Sequence, residues 1–453
     1  VAQHQPPHPP PSRPAAFPGP GIAAVPPPSV PLGFLAAAGV GLVELGLATW
    51  FAADRIVHSP THHGAVAAAH IGMLAFLTTA VLGAAHQFAP VVGRRPLRSA
   101  LVARLTLVGM LLTAQLLPTG FAHGPESLVL TGGLIGAATV LLAAWNLSAP
   151  LSARDGGVPI AGLRLAIGFL AATVAFGVVY AANRQTGWFP LFPHRVLAHA
   201  HLGLLGWLGI TYVSVAEKLW PMFLLAHRPT ARAGRWAVTL LAAGVPFVAL
   251  GLLLGAPALA WPGGVSAGAG LACHLASLAG AIRHRRRPLE LLHAFLLTSS
   301  GLLVAGAALA VIAALAPIEP VTRARLVTAE VVALTGWLAL AIVGHAHKIV
   351  PFIAYTTLRA RGIASTAEGR PLLFADLFDH RLARLTYACA TIAFPTVIVG
   401  VLVASPTTVA WGAVAIAVTG AVATYNLASG PHRVRRTAAP APTNTPHLAR
   451  TTA

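Results

Sequence analysis

The residues in this chain that could do chemistry are histidines standing in or beside apolar runs. His70, His199 and His201 lie within stretches rich in Ala, Leu and Gly; His58, His62, His63, His123 and His194 lie beside such stretches, with Asp54 close to the first of them. Neutral imidazole is the commonest side-chain ligand for copper, iron and zinc. This layer is therefore a candidate haem or metal site, with His70, His201 and His199 as cofactor ligands and His199, His201, His62 and His63 as metal ligands. His199 and His201 are about 200° apart around a regular helix and cannot readily share one ion. One is expected to face a cofactor and the other a neighbouring helix or the membrane surface.

His86, Glu217, Lys218, His345, His347 and Lys348 form a second polar set further along their apolar runs. Two readings of it stay open. Long cationic side chains near helix ends reach lipid headgroups and complement C-terminal dipoles, or the set is a proton or ion path. Glu330 joins the path candidates and is also a candidate partner for a histidine of the first layer. Glu44, Gln115 and His274 are further polar residues in apolar runs, while His293 follows the Arg283–Arg287 cluster and reads as interfacial. An ionisable group at membrane depth costs about 2.5 kcal/mol or more, so such groups usually face the interior and mark function. Any one of them alone is equally a hydrogen-bonded packing residue.

The elements that must position these side chains are membrane helices. Of 453 residues, 56% are hydrophobic and only 9% charged, against roughly 25% charged in a soluble domain. A helix needs about 20 apolar residues to cross a bilayer. The pattern predicts an all-α bundle of about twelve spans, near 31–51, 65–92, 97–117, 127–147, 160–182, 196–225, 236–254, 265–282, 289–315, 326–355, 382–404 and 407–427. Arginine alternates across the connections. One set holds the clusters around Arg94, Arg154, Arg228, Arg283 and Arg359; the other holds only Arg55, Arg184, Arg195, Arg323 and Arg325. The positive-inside rule then puts both termini in the cytoplasm, with the first histidine layer outside and the second set near the inner ends. Sixteen residues of helix separate the two by about 24 Å. The net charge of +19 is a topology signal, and no nucleic-acid face is expected. Residues 1–30 read as a disordered Pro-rich cytoplasmic tail, 31–430 as the membrane domain and 431–453 as a basic cytoplasmic tail. Cys273 and Cys389 form no CxxC pair, and no Walker loop, GxSxG or HExxH occurs in a usable context, which removes nucleotide and hydrolase chemistry of the soluble kind.

Three stretches align without gaps on a proline: His70-Ile-Gly-Met-Leu-Ala-Phe-Leu up to Pro90, His201-Leu-Gly-Leu-Leu-Gly-Trp-Leu up to Pro221, and Val331-Val-Ala-Leu-Thr-Gly-Trp-Leu up to Pro351. His86, Glu217 and His347 coincide in this register, as do Gly206-Trp207 and Gly336-Trp337. The aligned spans are four apart, which predicts three pseudo-repeated four-helix units.

Twelve spans, the threefold unit and histidines in the outer halves of spans 2 and 6 resemble subunit I of the haem–copper oxidase superfamily. The phrases His199-Ala-His201-Leu-Gly-Leu-Leu-Gly-Trp-Leu-Gly and Gly344-His345-Ala-His347-Lys-Ile-Val-Pro-Phe look like a bacterial branch of oxidase subunit I-like proteins. The resemblance covers roughly residues 31–430 and implies a redox subunit of the bacterial inner membrane, with haem or copper on its outer side. It implies that His70 matches the span 2 ligand of the low-spin haem, and that His201 or His199 matches the span 6 copper ligand. The family also needs a histidine pair on span 7 and a His-x-His in the outer part of span 10. Span 7 here has none, and span 10 has Glu330 and Val331 there, with His345-Ala-His347 about 21 Å further along the helix. Oxygen reduction by this chain alone is not expected. The functions to weigh are a degenerate redox subunit, a transporter or chaperone for copper, haem or a small solute, and a structural partner of other respiratory-chain membrane subunits.

Overall fold

The computed structural model describes residues 25–226, 231–366 and 369–437, in which helices joined by turns and loops make up the regular structure apart from one isolated β-bridge between Ser365 and Pro371. Among the described residues twelve helices are long and apolar enough to cross a membrane. In chain order, spans 1 to 12 are Ser29–Phe51, His63–Gly93, Ala100–His123, Glu126–Leu151, Gly157–Thr186, Pro193–Leu224, Arg232–Leu254, Pro257–Arg283, Leu291–Leu315, Pro320–Ala360, His380–Leu402 and Pro406–His432. They follow the sequence-derived spans one for one. Leu101, Leu105, Val108, Leu141, Val265, Ile392 and Trp411 are exposed on their flanks, a surface that an apolar solvent covers. The protein is a polytopic membrane protein in contact with the lipid bilayer.

Several boundaries differ from expectation: span 1 begins at Ser29, inside the expected tail, span 3 runs on to His123, and span 8 begins at Pro257 rather than near 265. Span 10 is one helix of 41 residues, about 60 Å long and twice the hydrocarbon thickness, so it projects beyond the apolar layer. The helix of span 12 runs on to Thr437, through the start of the expected basic tail; the rest of that tail and residues 1–24 lie outside the described residues.

Side-chain contacts sort the helix ends into two faces. Arg95 and Arg98 of the loop between spans 2 and 3 donate to Ser152 and Ser148 at the end of span 4, both at 2.7 Å. At the other face Arg184, ending span 5, pairs with Glu126, opening span 4. The first face is the arginine-rich end and the second the arginine-poor end.

Spans 2, 6 and 10 form the centre, being 61%, 67% and 67% buried against 22–44% for the other nine. Trp207 of span 6 donates to Thr78 of span 2 at 3.2 Å, and the Trp337 ring of span 10 packs on Gly209 of span 6. Spans 2 and 6 each contain eight residues of wider π-helix, Ile71–Thr78 and Leu202–Gly209. Each segment begins directly after a histidine, His70 or His201.

Close contacts recur at matched positions in spans 1–4, 5–8 and 9–12. A Cβ on Gly120, Gly251 or Gly400 would meet Val129, Ala260 or Val409, nine residues ahead in each case. One on Gly132, Gly263 or Gly412 would meet Leu117, Val248 or Val397, fifteen residues back. Between the first two helices of each set, Phe34 abuts Gly83, Gly162 abuts Ser214 and Phe295 abuts Gly344; Gly83, Ser214 and Gly344 each stand seven residues before the aligned proline. Asn146 and Asn426 repeat a polar contact as well. The side-chain oxygen of each accepts the backbone N–H of the residue that opens the helix beside it, Ser99 at 2.9 Å and Asp379 at 2.6 Å.

Candidate functional site

The site is built from the two π-bearing helices. Ring nitrogen Nδ1 of His70 lies 2.8 Å from the Val66 carbonyl, and that of His201 lies 2.8 Å from Leu197. A carbonyl oxygen only accepts, so Nδ1 carries the hydrogen and Nε2 keeps its lone pair. This is the arrangement in which metal-binding imidazoles are usually held.

His70 does not meet His201; it meets His199. Their ring centroids are 6.3 Å apart with the planes 25° from parallel. Phe121 of span 3 stacks on His70 at 5.1 Å, and Tyr180 of span 5 lies 6.0 Å from His199. Gly177 leaves room for the imidazole, since a Cβ there would stand 3.3 Å from Cε1 of His199. Nδ1 of His199 is buried without a hydrogen-bond partner. Arg184 closes the group: it pairs with Glu126, lies over the Phe121 ring at 5.1 Å and reaches Nε2 of His63 at 3.1 Å.

His201 points the other way, as the 200° separation requires. Its Nε2 is 3.7 Å from Oε1 of Glu330, an ion-pair separation rather than a hydrogen bond. Glu330 is thus the ion-pair partner of His201. His62 caps the start of span 2, its Nδ1 accepting the Gly64 N–H at 3.1 Å. Both His62 and His63 are exposed.

The second polar set divides among separate places. His86 stacks on Phe34 at 5.5 Å and His347 on Phe295 at 5.6 Å; in each, Nδ1 donates to a carbonyl and Nε2 is buried without a partner. Glu217 accepts from Ser277 at 2.9 Å, Lys348 pairs with Glu290 at 2.6 Å, and Lys218 is exposed. His345 lies beside Tyr212. Glu44 accepts from Gln115 at 3.1 Å, joining spans 1 and 3.

Two imidazole nitrogens that each reach one metal at about 2 Å set their ring centres roughly 6 Å apart. The separation of the His70 and His199 rings is one at which the two imidazoles would hold a haem or copper bound between them. A three-histidine copper centre is not formed: among the described residues no group of three or more His, Cys, Asp and Glu side chains is disposed to hold a metal ion. Sequence reasoning missed Phe121, Tyr180 and Arg184 as the walls of this site. Their signal, an aromatic or cationic residue near a span end, is too common to single out.

No family model matches the chain, and no curated protein matches its sequence.

Proposed function

We propose that the chain is an integral membrane redox subunit, resembling subunit I of the haem–copper oxidases, that holds haem or copper between spans 2 and 6. The observation that carries this reading is the His70–His199 pair, two imidazoles from different helices at a metal-bridging separation, each with an uncommitted nitrogen. The recurring contacts support a triplicated four-helix unit, and the arginine distribution puts the pair on the extracytoplasmic side of a cytoplasmic membrane, with both termini inside. Bound there, the metal would supply one-electron transfer. The chain's own residues do the remaining work. The Val66 carbonyl fixes the His70 tautomer, Phe121 and Tyr180 keep water from the rings, and the Arg184–Glu126 pair closes the mouth. His201 and Glu330 form an imidazole–carboxylate pair on the far side of span 6. With no third copper ligand at the pair, the reading is of a protein that carries electrons or binds a diatomic gas and does not reduce oxygen by itself.

The test is an optical spectrum and metal analysis of the purified protein. A Soret band or stoichiometric copper is expected, and His70→Ala and His199→Ala should each remove most of it. Wild-type protein free of both haem and copper, or both variants at full occupancy, overturns the reading.

One observation favours a second reading, transport or chaperoning of copper, haem or a small solute. The exposed imidazole His63, with His62 beside it, leads through Arg184 and Phe121 to the half-buried pair. That function predicts a metal-tolerance phenotype on deletion and no stably bound haem. Other respiratory-chain membrane subunits are the partners of the first reading, and they should co-purify in mild detergent.

A further inference from the structure

A second polar centre lies among spans 6, 8, 9 and 10, apart from the His70–His199 pair. Tyr212 is its hub. The phenol ring is 5.4 Å from the His274 ring, 5.5 Å from Trp337 and 6.2 Å from His345. Its hydroxyl lies beside Trp220 and Ser299 without a hydrogen bond of normal geometry. Trp220 is 6.1 Å from His293. His274 and Trp337 are wholly buried, Trp220 and His293 are 1% exposed and His345 8%. Yet Tyr212 Oη, Trp220 Nε1, Trp337 Nε1, His293 Nε2, His345 Nε2 and both ring nitrogens of His274 have no hydrogen-bond partner. An unpaired buried polar group costs about 1–3 kcal/mol, and about nine in ten such groups are paired in folded proteins. So many around one phenol call for a ligand.

The donor and acceptor inventory says what kind. Indole N–H groups only donate. Nδ1 of His293 accepts the Glu290 N–H at 2.9 Å, so its Nε2 carries hydrogen and donates. His345 is the reverse: Nδ1 donates to the Ala341 carbonyl at 2.7 Å, which leaves Nε2 as acceptor. His274 offers one of each, and Tyr212 turns either way. Trp220, Trp337 and His293 are thus committed donors against His345 as the one committed acceptor. A metal ion or an ammonium group needs lone pairs, whereas an anion needs N–H and O–H.

The surrounding charge agrees. The backbone N–H groups of Arg286 and Arg287 both donate to the Leu224 carbonyl, at 2.9 and 3.2 Å. This holds the loop bearing Arg283, Arg285, Arg286 and Arg287 over the end of span 6, one helical turn beyond Trp220. Of the acids at this end, Glu290 pairs with Lys348, and Glu217 accepts from Ser277 through Oε2 while its Oε1 is buried without a partner. A cationic end beside a cluster of buried, unpaired donors favours anions. We propose that Tyr212, Trp220, Trp337, His293 and His274 bind a small monovalent inorganic anion, of the halide or nitrate class, that enters from the arginine-rich end.

Bromide is the probe, with the full chain in lipid nanodiscs, read by equilibrium dialysis and by tryptophan quenching. Saturable binding is expected, displaced by chloride or nitrate, and Tyr212→Phe should weaken it roughly ten-fold by removing one donor to a charge. Should Tyr212→Phe not fold, His274→Phe serves, with the same expected direction. His70→Ala should leave bromide affinity unchanged, so failure of the redox reading and failure of this one are told apart. Non-saturable quenching, unchanged affinity in the folded variant, or bromide located only at the Arg283–Arg287 loop in a crystal overturns the proposal.

Discussion

An imidazole that gives its Nδ1–H to the carbonyl four residues back has one nitrogen left, and His70, His86, His201, His345 and His347 all do this. What each can then do depends on what faces the other nitrogen: Glu330 for His201, nothing for His86, His345 and His347. The same logic of committed atoms governs Asp376, outside the membrane spans. Arg370 donates to both of its carboxylate oxygens, at 2.9 and 2.6 Å, and the Leu373 N–H to one of them at 2.8 Å. The Arg370 hydrogen bonds outweigh partial burial and hold the Asp376 carboxyl below its ordinary value of 3.8. A lowered folded-state pKa means that the stabilisation is whole above about pH 4 and is lost as pH falls through the lowered value. For an exposed pair it amounts to about 1 kcal/mol or less. Amide exchange at Phe374–Leu377 should therefore quicken in wild type only below about pH 4, and Asp376→Asn should show the quickened exchange already at pH 7. Identical exchange in the two proteins at pH 7 would remove the carboxylate from the account.

At the scale of elements, helix contact is set by glycine. Gly132, Gly263 and Gly412 bring the last two helices of each four-helix set so close that a Cβ would meet backbone or side chain of the partner. Adding bulk at such a contact costs typically about 1–3 kcal/mol. Gly132→Val, Gly263→Val and Gly412→Val should each lower the unfolding midpoint in detergent by a similar amount, measured by thermal melts; a neutral change at one position would break the equivalence. The π-helical segments after His70 and His201 carry a different lesson. Each widens the helix beside a candidate ligand, a feature that recurs at functional sites. Residue types give no warning of it, because Ile71–Thr78 and Leu202–Gly209 read as ordinary apolar helix.

For the molecule as a whole, orientation rests on arginine. In a chain lacking Cys273 and Cys389, Thr61→Cys on the arginine-poor face should react with an impermeant maleimide added to intact cells, and Arg154→Cys on the other face should react only after lysis. The reverse pattern would invert the bundle and move the His70–His199 pair to the inner side. Spans 2, 6 and 10 at the centre, with the other helices in lipid contact, account for where polar residues concentrate: a group in the central helices can be sheltered from acyl chains, and one on an outer face cannot.

The all-helical fold and the number of long apolar helices were legible in the residues, because a bilayer demands long apolar runs. Depth made Glu330 a candidate partner for a histidine, but only the packing of the helices sets it beside His201. Which histidines meet was decided in space. His199 and His201 lie two apart on one helix, and only the packing of span 6 against spans 2 and 10 sends the first to His70 and the second to Glu330. Tyr212 reads as one more aromatic residue in an apolar run, and its place at the centre of unpartnered indoles and imidazoles comes from helices far apart in the chain. Hydropathy is a property of each segment by itself; a site is a property of several segments brought side by side.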